Sequence, residues 1–323
     1  MIRLVQLGTN SENIIQPQEL KRQSLENVWL ELVEPTQEEL QAIADATELP
    51  VNFLKLPKTG GIVELRLELG FNIINFLAMQ DVASTKKANP LIMAFSKTFL
   101  VTVACQETEP IIKTAKERMS RTKIDPPSQV TYYIIDEIVA NHYEHIEKLE
   151  GLTSKIEEEV LEKTTPETLK KIFKLKTNMI NFNKVLWYER GLVFKLHKCG
   201  DSCMVSKARE LFETTHEDLT RQIDIVETYR EILSDAINVH LSATSNKINF
   251  SINSLTIVIF YLTIITTVTS FPNTIATFFG ISQFGNTDIF IVTAALLASI
   301  LLPLIWLWGK KWLSIKTALR QEV

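Results

Sequence analysis

Residues 248–309 contain one formal charge, Asp288, in a chain of 323 residues that carries 34 basic and 38 acidic side chains. A soluble protein does not present so long an uncharged run to water, and a disordered chain is not built from one. The run is long enough for two passes through a hydrocarbon core about 30 Å thick, each needing about 20 apolar residues. The spans are expected at 255–280 and 289–309, the second closing on Trp306 and Trp308, residue types that favour the membrane–water interface. The loop between them, 283–288, has neither Lys nor Arg, whereas Lys247 precedes the first span and Lys310, Lys311, Lys316 and Arg320 follow the second. Basic residues favour the cytoplasmic side, so both termini are expected there, with the chain crossing the plasma membrane twice. The competing reading is a buried core hairpin.

The remaining residues exclude several classes. Net charge is −4, so no basic excess points to nucleic acid as a partner. Cys105, Cys199 and Cys203 are too few and too scattered for a disulfide framework, and residues 1–6 hold no apolar core of signal-peptide length. The soluble part is therefore expected in a reducing cytoplasm with free thiols. No phosphate loop, nucleophile elbow or His-Glu-x-x-His motif occurs, and no nucleophile–base pair is visible, so an enzyme is not expected.

The organisation follows from the change of period along the chain. Residues 1–118 read as a cytoplasmic α/β domain. Val28 to Val33 alternates like a half-buried strand, and 62–69, 71–77 and 99–104 supply others. Thr36, with Glu39 three residues on, opens a helix. Residues 119–205 form a helical region, restarted at Thr165-Pro166-Glu167 with Pro in its first turn. From Ser206 no proline occurs until Pro272, so 206–282 is expected to be a stalk helix that runs on into the first span. It would be roughly 110 Å long at 1.5 Å per residue. The fold class expected is an α+β domain, a long helical stalk and two C-terminal membrane helices, followed by a basic cytoplasmic tail at 310–323.

The first span is lined with small polar residues. Asn249, Thr256, Thr263, Ser270 and Thr277 fall seven apart and form one seam. Asn253, Thr267 and Thr274 flank it on one side, Thr266 and Asn273 on the other. All ten are uncharged and can accept a hydrogen bond through oxygen. Residues of this kind also fasten helices to one another in lipid. Ten in one stripe through the depth of a span favour a water-lined path. Two spans cannot enclose such a path, so several copies must surround an axis, and a seven-residue seam suits their left-handed packing. Ile259 and Phe260 interrupt the seam with Leu262 nearby, an apolar constriction able to gate by dewetting.

The whole plan resembles the CorA-type magnesium transporters. The likeness rests on Trp29-Leu30-Glu31-Leu32 followed by Pro35-Thr36, and on Asn89-Pro90-Leu91-Ile92 leading to Leu100-Val101-Thr102-Val103. In the membrane, residues 272–280 are similar to the family segment that ends in Tyr-Gly-Met-Asn, and the family's leucine–threonine pair falls on Leu262-Thr263. The resemblance implies a homo-oligomer, expected to be a pentamer, embedded in lipid and passing divalent cations, with no bound cofactor. It also implies a selectivity filter at Gly280, Ile281 and Ser282, where this chain departs from Gly-Met-Asn. Ser282 is shorter than Asn and carries a hydroxyl, so its ring would be wider. Mg²⁺ gives up its waters reluctantly, and a neutral oxygen-lined path suits a hydrated hard cation better than a thiolate- or imidazole-seeking one. Magnesium, with Co²⁺ or Ni²⁺ as companions, is therefore the expected cargo. The alternatives are a zinc or other transition-metal transporter of the same family, and a non-conducting membrane-tethered metal sensor or scaffold.

Three weaker signals remain. His142 and His145 stand one turn apart among glutamates and read as a solvated helix face rather than a metal pair. Cys199 to Cys203 with His197 reads as an interhelical loop rather than a zinc site. In the family, cytoplasmic carboxylates between subunits bind the transported ion, which makes Asp218, Asp224 and Glu227 on the stalk the candidates for a regulatory metal site.

Overall fold

Two strand sequences set the architecture. Val28-Trp29-Leu30-Glu31-Leu32-Val33 and Phe99-Leu100-Val101-Thr102-Val103-Ala104 are near-continuous apolar runs of the kind that parallel, doubly covered strands require. The computed structural model describes residues 2–9, 11–57, 62–68, 70–79, 88–120, 126–162, 165–200 and 204–279, with eight positions between 290 and 305. In it those runs are β3 (Val28–Val33) and β7 (Phe99–Ala104), paired in parallel at the centre of a seven-stranded sheet. The other strands are β1 (Ile2–Gln6), β2 (Ser11–Ile15), β4 (Glu64–Glu68), β5 (Phe71–Ala78) and β6 (Asn89–Phe95). The order is β2-β1-β3-β7-β6-β5-β4, and every pair but the central one is antiparallel.

Helices cover both faces of this sheet. Leu30, Leu32, Val101 and Val103 pack with Leu40 and Ile43 of α1 (Gln37–Thr47). Trp29 and Leu100 pack on the other face with Ile112 and Ala115 of α2 (Glu109–Ser120) and Val130 of α3 (Pro127–Glu162). β3 is therefore buried on both sides, not half-buried as its alternation suggests. Its one acid, Glu31, is tolerated there because Lys116 of α2 donates to it at 2.6 Å and Arg3 lies at 3.5 Å. The Trp29 indole N–H likewise donates to Thr102 Oγ1 at 2.9 Å. α1 starts on the expected capping box: Thr36 Oγ1 accepts from the Glu39 amide, and Glu39 Oε2 accepts from the Thr36 amide.

α3 returns as α4 (Pro166–Lys198), capped by Thr165 with Pro at its start, and α5 (Ser206–Phe279) follows for 74 residues. The hairpin and the first part of α5 share one core, in which Ile138, Phe182, Leu186, Leu219 and Val226 are buried. Polar ties fix their register. Gln222 donates to the Val139 carbonyl at 2.9 Å, Thr215 to Asp136 at 3.0 Å, Lys176 to Ser234 at 2.8 Å and Asn183 to Glu227 at 3.0 Å. Met1–Leu241 forms one compact unit and Ser242–Val323 a second. In the second, α5 continues to Phe279, and the described positions Phe290, Ile291, Thr293, Ala294, Leu297, Ala298, Leu301 and Ile305 are helical.

Candidate ion pathway along α5

α5 is long and apolar enough to cross a membrane, and most of its described side chains from Ser245 onward are exposed in the single chain. All ten residues of the polar seam lie on it in regular helix and are exposed. At about 100° per residue they occupy one sector of about 160°, with Asn253 and Asn273 at its edges. Ile259 and Phe260 fall inside that sector and Leu262 just outside it. The heptad members drift by about 20° per repeat on a straight helix, so only left-handed supercoiling keeps them on one axis.

The hydroxyl geometry defines what this face offers. Every seam threonine donates its proton to the carbonyl one turn back. Thr256 donates to Ile252, Thr263 to Ile259, Thr266 to Leu262 and Thr267 to Thr263, each at 2.8 Å. Thr274 donates to Ser270 at 2.9 Å and Thr277 to Asn273 at 2.7 Å. A hydroxyl so engaged has spent its one donor and keeps only lone pairs. The six threonines thus form a column of acceptors without formal charge. Water molecules around a cation point their hydrogens outward, and acceptors are what such a shell needs. The filter candidates Gly280, Ile281 and Ser282, the loop, most of the second span and the basic tail lie outside the described residues.

The regulatory candidates do not converge within one chain. Asp218 and Glu227, nine residues apart, project from opposite sides of α5 at about 100° per residue. Asp218 accepts from the Tyr143 hydroxyl at 3.5 Å and lies 3.7 Å from Arg221. Glu227 accepts from Asn183 and pairs with Arg230, and Asp224 is exposed. No group of three or more His, Cys, Asp or Glu among the described residues is arranged to hold a metal ion.

Two expectations about side chains fail. His142 and His145 are not on a solvated face: they are 1% and 3% exposed, pointing into the α3–α4–α5 core with the Phe182 ring edge-on to both. Acidic neighbours at exposed positions disguise a pair that shares the buried column of Ile138, Ile146 and Leu149. Gln222 fixes the protonation of His142. Its amide N–H is committed to Val139, so its oxygen faces His142 Nδ1 at 3.2 Å and Nδ1 carries the proton. His145 Nε2 donates to the Met79 carbonyl at 2.9 Å. Beside them lies Glu189, fully buried, 3.6 Å from His142 Nδ1 and with neither oxygen hydrogen-bonded. Burial lowers His142 to about 3 and raises Glu189 well above the ordinary carboxylate value. Glu189 escapes a search for motifs, yet it interrupts the core column Phe182, Leu186, Val193 and Leu196 at helical spacing, and that is its signal. The second failure is at Cys199, which is disulfide-bonded rather than free; Cys105 is a free thiol.

With fold and seam in place, comparison with known proteins is decisive. The family described as CorA-like Mg²⁺ transporter protein matches residues 24–311. The chain belongs to that family. The cobalt/magnesium transport protein CorA of Thermotoga maritima is 31% identical over 127 residues, 39% of this chain and 36% of that one. The chain spans 36% and 51% of the lengths of the first two curated relatives it matches. The complete CorA magnesium transporter from Methanocaldococcus jannaschii superposes with a TM-score of 0.70 at 19% identity, over 94% of this chain and 95% of that one. The ZntB cytoplasmic domain from Vibrio parahaemolyticus gives 0.59 at 10% identity, over 76% and 98%. These structural likenesses establish a CorA fold: an α+β domain, a helical stalk and an apolar C-terminal helix. Family and α5 together place this CorA-family chain in a membrane.

Proposed function

We propose that this chain is the subunit of a homo-oligomeric, pentameric divalent-cation channel of the plasma membrane, with both termini cytoplasmic and hydrated Mg²⁺ as cargo. The reading rests on one observation: ten oxygen-bearing side chains share one face of the membrane helix, and the six threonines among them turn their protons inward and their lone pairs outward. In lipid alone such a face gains nothing. Around an axis it replaces the outer water contacts of an ion that keeps its own shell. Asn249 and Asn253 stand at the cytoplasmic end, Ile259, Phe260 and Leu262 form the gate, and Gly280, Ile281 and Ser282 receive the ion from outside. Passage is downhill on the membrane potential, worth about 2.3 kcal/mol per charge per 100 mV. Asp218, Asp224 and Glu227 bind a regulatory divalent ion only between copies.

A second reading keeps the pore and changes the ion to zinc or another transition metal. Its support is the departure from Gly-Met-Asn at Ile281 and Ser282. Purified protein in liposomes separates these. The first reading expects Mg²⁺ uptake that excess Zn²⁺ leaves unchanged; the second expects Zn²⁺ to compete. No flux of Mg²⁺, Co²⁺, Ni²⁺ or Zn²⁺ above empty liposomes would sink both and leave a non-conducting sensor.

A further inference from the structure

Between α3 and α4 of one chain lies a cleft of about 310 Å³, within the size range of small-molecule sites. Its floor is apolar, with Ile156 and Leu175 buried and Leu152 half-buried. The buried Asn178 places an amide at one end. The walls carry three exposed lysines, Lys155, Lys171 and Lys174, against one carboxylate, Glu159. That carboxylate is already committed: Lys171 Nζ donates to its Oε1 at 2.7 Å and to its Oε2 at 2.8 Å. Lys155 and Lys174 form no ion pair among the described residues, and Glu158, one turn along α3 from Lys155, does not supply one. Three ammonium groups against one carboxylate leave the cleft two positive charges in excess.

The register of the hairpin sets those two charges side by side. α3 and α4 run antiparallel, with Lys171 opposite Glu159 and His142 3.6 Å from Glu189 further along the same packing. Three residues on from Lys171 is Lys174, and three back from Glu159 is Ile156, so Lys174 stands level with Ile156 and faces Lys155 across the cleft. Like charges held together over an apolar floor repel more strongly than in open water. An anion between them removes that cost. We propose that this cleft binds a phosphate-bearing anion, with Lys155 and Lys174 on either side of the phosphate and the body of the ligand lying over Leu152 and Leu175 toward Asn178. A phosphate dianion supplies both missing negative charges, whereas a carboxylate supplies one. Lysine suits the task because its ammonium group binds phosphate as a point charge, with no fixed fork to align. The same phosphate chemistry is found on a free phosphate monoester and on a lipid headgroup.

The test is lysine acetylation of the full-length protein in magnesium-free buffer, read at each lysine by mass spectrometry. The soluble probes are inorganic phosphate and adenosine 5′-monophosphate, with sodium chloride at matched ionic strength as the comparison. The lipid probe is the same protein in phosphatidylcholine vesicles with and without phosphatidic acid. At a probe concentration about ten times its dissociation constant, acetylation of Lys155 and Lys174 should slow about tenfold. Lys184, exposed on α4 outside the cleft, should react as before. Calorimetric affinity should fall about tenfold in Lys155→Gln and again in Lys174→Gln, and survive in Lys174→Arg. All three changes sit at exposed positions, and unchanged helical circular dichroism will show that each variant folds. Protection by the soluble probes upholds the site with a free phosphate compound as its ligand, and protection by phosphatidic acid alone upholds it with a lipid headgroup. Protection that chloride reproduces, or that extends equally to Lys184, would overturn the proposal. So would undiminished affinity in both Gln variants, or no protection by any of the three phosphate probes.

Discussion

Glu189 is a carboxyl group in the helical core with no hydrogen bond to either oxygen. Its consequence is a pH signature whose sign follows from burial. His142 is lowered from 6.5 to about 3, so as pH falls through that window the unfolded chain takes up a proton the folded chain refuses, and stability drops. Glu189 is raised above 4.5, so as pH rises past that value the unfolded chain releases a proton the folded chain keeps, and stability drops again. Between about 4.5 and 6.5 the two slopes oppose each other. Glu189→Gln removes one of them. The variant should gain stability with rising pH more steeply than wild type in this window, by at most about 1.4 kcal/mol per unit. Denaturation midpoints of the full chain in detergent across pH 4.5–8 check this, and parallel curves would refute it. A second residue-scale expectation concerns Thr263. Thr263→Val keeps its shape but removes the lone pairs, and ion flux should fall, while Thr263→Ser should retain it; equal rates for both would mean the hydroxyl faces no ion. In the proposed filter, Ser282→Asn should shift preference toward Mg²⁺ by supplying the family's amide, read as the ratio of Mg²⁺ to Co²⁺ uptake.

Among the elements, those bounded by their own chemistry were legible in the sequence. β3 and β7 run over the residues their apolar patterns mark, and α1 begins at the capping box that Thr36 and Glu39 announce. Thr36→Ala should cost about 1 kcal/mol, seen as a lower denaturant midpoint with unchanged slope. Elements defined by their partners were not legible. β1 is five residues with Arg3 among them and becomes a strand only by pairing with β2 and β3. β6 opens on Asn89-Pro90, which reads as punctuation, yet Pro90 sits at the strand's second position opposite Leu77. The same limit applies to the site. The seam needed one helix and its period, both written locally. The burial of His142, His145 and Glu189 needed knowledge of which face of α3 receives α4, and that is a tertiary fact.

For the whole molecule, the sheet domain and hairpin are built as ordinary packed layers, while α5 is not: from Ser242 to Ser270 it exposes both apolar and polar side chains in the single chain. In the proposed channel that surface is completed by lipid on one side and by other copies on the other. The family shares this plan, and the acceptor column gives it a physical use. Proteoliposome uptake of Mg²⁺ by three variants tests this most directly. Asn273→Leu and Thr277→Leu place apolar bulk in the seam sector, and Thr269→Leu places it about 120° away from Thr263. Uptake should fall about tenfold or more for the first two, a barrier increase of at least about 1.4 kcal/mol, and stay near wild type for the third, with oligomer mass unchanged in all. Wild-type rates for both Asn273→Leu and Thr277→Leu would mean that this face of α5 does not line the path.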